Sequence, residues 1–132
     1  MNLIEIFAII LIHWFADFVL QTDKQAKGKS KNWDDLLEHT LNYSMVWDLS
    51  GLILLFINLK YPLFENYPFM VTKFMFITFV CHTITDYFTS RLNSKLWEKG
   101  DVHKFFVSVG FDQVLHYVQL FLTYYIIKNG FI

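Results

Sequence analysis

Three pairs of ionisable residues stand inside otherwise apolar stretches, and each pair has the spacing that stacks two side chains one helical turn apart. His13 and Asp17, His82 and Asp86, and Asp112 and His116 are each four positions apart, so each pair shares one helix face. His39 adds a fourth imidazole in another apolar stretch, with Asp35 four positions before it. Ionisable residues in such stretches are costly and mark function by default. Imidazole and carboxylate together suit Zn²⁺ first and Mn²⁺ or Fe²⁺ next, rather than Ca²⁺ or a thiolate-seeking metal.

Any one pair has a bland reading, a buried His–Asp hydrogen bond that locks two helices together. Recurrence argues against it. The first and third stretches read His-x-x-x-Asp and the fourth reads Asp-x-x-x-His, so a chain folded back and forth sets every histidine about a turn deeper than its aspartate. Three ionised aspartates among four neutral histidines leave a charge of −3 that burial makes expensive. Two divalent cations with a bridging hydroxide cancel it. The expectation is a two-metal centre held by His13, Asp17, His39, His82, Asp86, Asp112 and His116. Asp17 and Asp86 are the candidates to bridge the ions or act as base while bound water attacks a phosphoester.

Gln21, Gln113, Gln119 and Thr123 extend the polar stripes, and supporting hydrogen bonds or plain bundle polarity fit them equally. Asp48 lies nine positions from His39, on roughly the opposite face, with Lys73 as its candidate partner. His103 and Glu38 read as solvated, and Cys81 as packing.

The elements that position these residues follow from composition. The 132 residues are 55% hydrophobic and 20% aromatic but only 17% charged, too few charges for an ordinary soluble surface. One all-α membrane domain, residues 1–132, is expected. Apolar stretches at about 3–20, 36–59, 69–92 and 111–127 predict a bundle of four transmembrane helices. Tyr61-Pro62 through Tyr67-Pro68 reads as a turn at a membrane boundary. Residues 93–109 mix Trp97, Phe105 and Phe106 with Lys95, Lys99, Asp101 and Lys104, which predicts an interfacial amphipathic segment between the third and fourth helices. The first apolar stretch lacks a basic leader and a cleavage site, so it is expected to be retained.

Of the 11 Lys and Arg, Lys24, Lys27, Lys29, Lys31, Arg91, Lys95, Lys99 and Lys104 fall on the side of the first and third connections, against Lys60, Lys73 and Lys128 on the other. That asymmetry predicts a multi-pass protein of the inner (cytoplasmic) membrane with its long connections in the cytoplasm and both termini on the external side. The net charge of −1 says nothing by itself about partners, because the charges sit in blocks; no basic tail or repeat is present, and nucleic acid is not among the expected partners.

The stretches His13-Trp14-Phe15-Ala16-Asp17-Phe18-Val19-Leu20-Gln21-Thr22-Asp23, His39, His82-Thr83-Ile84-Thr85-Asp86-Tyr87 and Phe111-Asp112-Gln113-Val114-Leu115-His116 resemble a family of small bacterial and phage integral membrane proteins of unknown function. The resemblance covers nearly the whole chain, and its first motif, His-x-x-x-Asp-Phe-x-x-Gln, is the more specific part. It implies a helical membrane protein with a His/Asp centre, and Asp35 lies outside its pattern. A more distant likeness, in ligand types alone, is to membrane-bound metal-dependent hydrolases.

Three functions are then in competition. A metal-dependent hydrolase at the cytoplasmic face would act on a phosphorylated lipid or a nucleotide. A structural or regulatory phage membrane protein would use its metal to hold the bundle. A small proton or ion transporter would pass protons along the same residues, and four short helices would need to form a homo-oligomer for that. The lipid bilayer is a partner in all three.

Overall fold

The computed structural model describes residues 1–60 and 67–131, which are helical throughout apart from short connections. The expected boundary turn at 61–68 lies largely outside the described residues. Five α-helices follow in order: α1, Leu3–Trp14; α2, Asp23–Gly28; α3, Trp33–Lys60; α4, Tyr67–Glu98; and α5, Val102–Lys128. A π turn, Phe15–Val19, continues α1.

The helix starts are legible in local chemistry. Asn2 accepts from the Glu5 amide at 2.9 Å while the Glu5 carboxylate accepts from the Asn2 amide at 2.8 Å, a reciprocal cap for α1. Thr22 and Gln25 make the same exchange at α2. At α3 the Asn32 side chain accepts from the Asp35 amide at 2.8 Å and donates to the Asp35 carboxylate at 2.8 Å. Asp35 therefore serves the helix start, with Lys24 3.1 Å away.

Among the described residues, three helices are long and apolar enough to cross a membrane: residues 33–57, 68–98 and 102–128. They correspond to the second, third and fourth expected spans, extended at several ends. α1 is not among them, because its α-helical part runs for 12 residues before the π turn. Residues 93–109 do not form an element of their own. They are the last turns of α4, a tight corner and the first turns of α5. Gly100 makes the corner at φ 69°, Asp101 caps α5 by accepting from the Lys104 amide at 3.3 Å, and the Trp97 and Phe105 rings meet across the hairpin at 5.0 Å. The Lys104 ammonium, 2.6 Å from Asp101, holds that carboxyl below its usual range. The mixed aromatic and charged composition belongs to two helix ends rather than to a separate surface segment.

The bundle is polar inside and apolar outside. α4 packs against α5 and α3, with α1 against α3 and α5. The buried line on α4 is Thr78, His82, Asp86 and Ser90, and α5 contributes Asp112, His116, Leu120 and Thr123. Phe7, Leu11, Met45, Phe76, Phe88 and Val114 face outward. Burying polar groups and exposing aromatics is stable only where the exterior is not water. Gly51 lets α3 approach α4 closely, since a Cβ there would come 2.5 Å from Val71 Cγ1. Glu5 and Lys128 pair to tie the start of α1 to the end of α5.

Candidate metal centre

Every one of the seven expected ligands is buried, in a single layer of the bundle. The π turn delivers Asp17. Its wide i+5 closure, with the Leu20 amide donating to the Phe15 carbonyl at 3.1 Å, is a feature often found at functional sites. α3 delivers His39, α4 delivers His82 and Asp86, and α5 delivers Asp112 and His116, the last two pairs by their helical spacing.

Four ligand atoms converge. His39 Nε2 lies 3.1 Å from Asp17 Oδ1, 3.1 Å from Asp86 Oδ2 and 3.3 Å from His82 Nε2. His82 Nε2 lies 3.6 Å from Asp17 Oδ1 and 3.7 Å from Asp86 Oδ2. Bond lengths of about 2.0–2.1 Å put the ligand atoms of a tetrahedral zinc roughly 3.3 Å apart. The five separations scatter around that edge length.

A second cluster shares a member with the first. His116 Nε2 is 3.3 Å from Asp86 Oδ1 and 3.4 Å from Asp112 Oδ1. Asp86 thus turns one oxygen to each cluster, as a carboxylate bridging two cations would. Asp17, His39, His82 and Asp86 form the first group, and Asp86, Asp112 and His116 the second, with ligand atoms inside each group within 4.8 Å of one another. Asp112 Oδ1 is buried without a hydrogen-bond partner among the described residues, with His116 as its near neighbour.

His13 belongs to neither group. Its Nε2 is 2.9 Å from Gln113 Oε1 and its Nδ1 is 3.0 Å from the Tyr43 hydroxyl. An amide oxygen only accepts, so Nε2 carries the proton and Nδ1 accepts from Tyr43. The same Gln113 donates through Nε2 to Asp112 at 3.0 Å and to Asp17 at 3.4 Å. In this arrangement His13 orients a glutamine that holds two of the carboxylates. It remains 3.7 Å from Asp17.

Gln21 reaches His39, 3.2 Å from Nδ1, whereas Gln119 donates to the hydroxyls of Thr78 and Thr123, and neither it nor Thr123 belongs to a cluster. Lys73 lies over the Phe69 ring at 4.3 Å, and Asp48 Oδ1 is buried without a hydrogen-bond partner among the described residues. His103 is exposed, and Glu38 accepts from Lys24 and Gln25 at the surface.

Two members of the centre went unread in the sequence. Tyr43 stacks on His82, ring centroids 3.7 Å apart and planes 6° from parallel. It is fully buried and four residues after His39, so the spacing that picked out the His–Asp pairs would have picked it out too. Lys29 sits just past α2, and its ammonium donates to Asp86 Oδ2 at 2.8 Å and lies 3.3 Å from His39 Nε2. Burial alone would lower its pKa, but Asp86 and Asp17 outweigh that and hold it above the ordinary lysine range.

The surroundings fix the backbone on either side of Lys29. Gln25 and Lys24 tie α2 to Glu38 on α3, Ser94 on α4 donates to Ser30 at 2.7 Å, and Trp33 stacks on Tyr87 of α4 at 4.9 Å. Gly28 passes so close to the Asp35 side chain that an added Cβ would overlap it unless one of them shifted.

Neither a curated protein nor a solved structure matches the chain. The model of a family described as a protein of unknown function, DUF3307, matches residues 6–131, nearly the whole length, and the chain belongs to that family.

Proposed function

We propose that this chain is a membrane-embedded metalloprotein with two divalent cations, and that it hydrolyses a phosphoester at the cytoplasmic face. The observation that carries the reading is the pair of clusters joined at Asp86. One has four potential protein ligands, five of whose separations lie near the edge of a zinc tetrahedron, and the other has three. A closed set of four suits an ion that holds the bundle together, whereas three ligands leave a position for water or substrate. Zinc is the first choice for both, with Mn²⁺ or Fe²⁺ as alternatives.

In this reading Asp17, His39 and His82 would hold the closed ion, Asp112 and His116 the open one, and Asp86 would serve both. A divalent ion supplies a water acidic enough to be a nucleophile near neutral pH. That water would pass a proton to a carboxylate of the centre, Asp17 or Asp86, and bond to phosphorus. The ester P–O bond breaks, and the leaving oxygen takes a proton back. The closed cluster also favours a second reading, a purely structural metal, because four ligands leave it no position for chemistry.

Four spans complete the proposed topology. Leu3 to Val19 is helical through α1 and the π turn, about 25 Å of rise, enough to cross most of the hydrocarbon. The termini would then face outward and the lysine-rich first connection the cytoplasm of the inner membrane. The centre would lie near that face, within reach of a lipid phosphate or a soluble nucleotide. Metal analysis of detergent-purified protein, followed by assay of phosphorylated lipids and nucleotides, tests the reading. Two ions per chain and turnover of one class are expected; protein that takes up no Zn²⁺, Mn²⁺ or Fe²⁺ would refute it.

A further inference from the structure

Lys29 stands inside the ligand set rather than beside it. Its Nζ contacts Asp86 Oδ2 at 2.8 Å and His39 Nε2 at 3.3 Å, two of the four atoms that converge on the first cation position. An ammonium has donors only, so it engages the His39 lone pair that a metal would use. No protonation state of His39 satisfies its neighbours. With a proton on Nε2, His39 can donate to Asp17 or Asp86 but turns that proton toward the ammonium. Without one, it accepts from Lys29 but turns its lone pair toward two carboxylate oxygens, 3.1 Å away on each side. A divalent ion at the shared point resolves the conflict and cannot coexist with the ammonium in contact with the same two atoms.

The charge count gives Lys29 a second position. Three aspartates bring −3 and Lys29 returns the total to −2, which one divalent ion neutralises. A second divalent ion leaves the centre at +2, the complement of a phosphate monoester dianion. Lysine is a strongly hydrated point charge on a flexible four-carbon stem, so it can turn from Asp86 toward an anion at the open position without moving the helices.

We propose that Lys29 is an exchangeable counter-cation, which holds the Asp17/His39/His82/Asp86 position in the metal-free protein, yields it to a divalent ion, and then pairs with the phosphate dianion of a monoester substrate. This rests on the two-ion hydrolase reading and narrows its substrate class.

The test compares wild type, Lys29→Met and Lys29→Arg as full chains in detergent. Zinc titration should show Lys29→Met binding the first ion about tenfold tighter or more, because a competitor is gone. Its metal-free melting temperature should fall and its zinc-loaded one recover, a coupling that a merely structural lysine would not produce. Lys29→Arg, which keeps the charge, should stay near wild type in the metal-free melt and so separates loss of charge from misfolding. On manganese-loaded protein, inorganic phosphate read by ³¹P line broadening should bind about tenfold more weakly to Lys29→Met. Equal or weaker zinc binding by Lys29→Met, with wild type binding zinc normally, overturns the exchange and leaves the metal reading standing. Unchanged phosphate binding overturns the anion role. Failure of both wild type and Lys29→Met to bind metal overturns this proposal together with the reading beneath it.

Discussion

His39 Nε2 and His82 Nε2 face each other at 3.3 Å. Two imidazole nitrogens that close share at most one hydrogen bond, yet each also faces the carboxylates of Asp17 and Asp86. Such convergence is what a coordinated cation stabilises, and either imidazole is then indispensable. Altering groups that merely support metal ligands costs about 10–100-fold in affinity, so His39→Ala or His82→Ala should cost more than about a hundredfold. Zinc titration of each variant checks this. The exposed His103, changed to Ala, should bind like wild type.

Gly28 is expected to be intolerant for a steric reason that reaches the same centre. A Cβ there would overlap the Asp35 carboxylate, so α2 or the start of α3 must shift, and the adjacent Lys29 with them. Overpacking of this kind costs about 1–3 kcal/mol. Gly28→Ala should lower the melting temperature of the metal-free protein. Gly110 is the control, since a Cβ there meets nothing within 4 Å and alanine in place of a mid-helix glycine favours the helix by about 1 kcal/mol. Gly110→Ala should hold or raise the melting temperature. Equal effects of the two would show that the Gly28 contact is relieved without cost.

The part of this centre that could be read from sequence was the part written in helical periodicity. His82 with Asp86 and Asp112 with His116 repeat at one turn inside long apolar stretches, and helices as regular as α4 and α5 carry that register faithfully into space. Lys29 was illegible because it is one of four lysines between positions 24 and 31, where every one reads as solvated. Only the capping of α2 and the docking of its Gln25 turn this one inward. The π turn has no composition of its own, so the end of α1 could not be foreseen. Residues 93–109 misled for a related reason: a helical hairpin near a membrane surface carries the same aromatics and charges as a helix lying along it, and the glycine corner at 100 distinguishes them only weakly.

Topology can be tested at two exposed positions chosen from the fold. Lys27 and Phe131 project from the lysine-rich connection and the C-terminal end. Each is changed to cysteine in a Cys81→Ser background, and whole cells are treated with a membrane-impermeant thiol reagent. The lysine asymmetry predicts modification at 131 and protection at 27 until the cells are opened. The reverse pattern would invert the proposed orientation, and labelling at both would contradict the three crossings by α3, α4 and α5 that separate the two positions.

Catalysis is where the closed and open clusters make opposite demands on the same protein. Asp112 belongs to the three-ligand group alone, and its Oδ1, 3.4 Å from His116 Nε2, has no hydrogen-bond partner among the described residues. Asp112→Asn keeps the size of the side chain and much of its packing but removes a charge from the open position while leaving all four ligands of the closed one. The variant should therefore drop from two bound ions to one and keep most of its metal-dependent thermal stability. It should lose hydrolysis by about a hundredfold or more, since an ion that lowers the pKa of its water and stabilises developing charge contributes several kcal/mol to the barrier. Asp17→Asn strikes the closed cluster instead, and its loss of metal should track a loss of melting temperature. If the wild type turns over no phosphorylated lipid or nucleotide with any of the three metals at a rate above Asp112→Asn, the second position is not catalytic. The two ions would then be a structural clamp that holds α3, α4, α5 and the π turn in one layer.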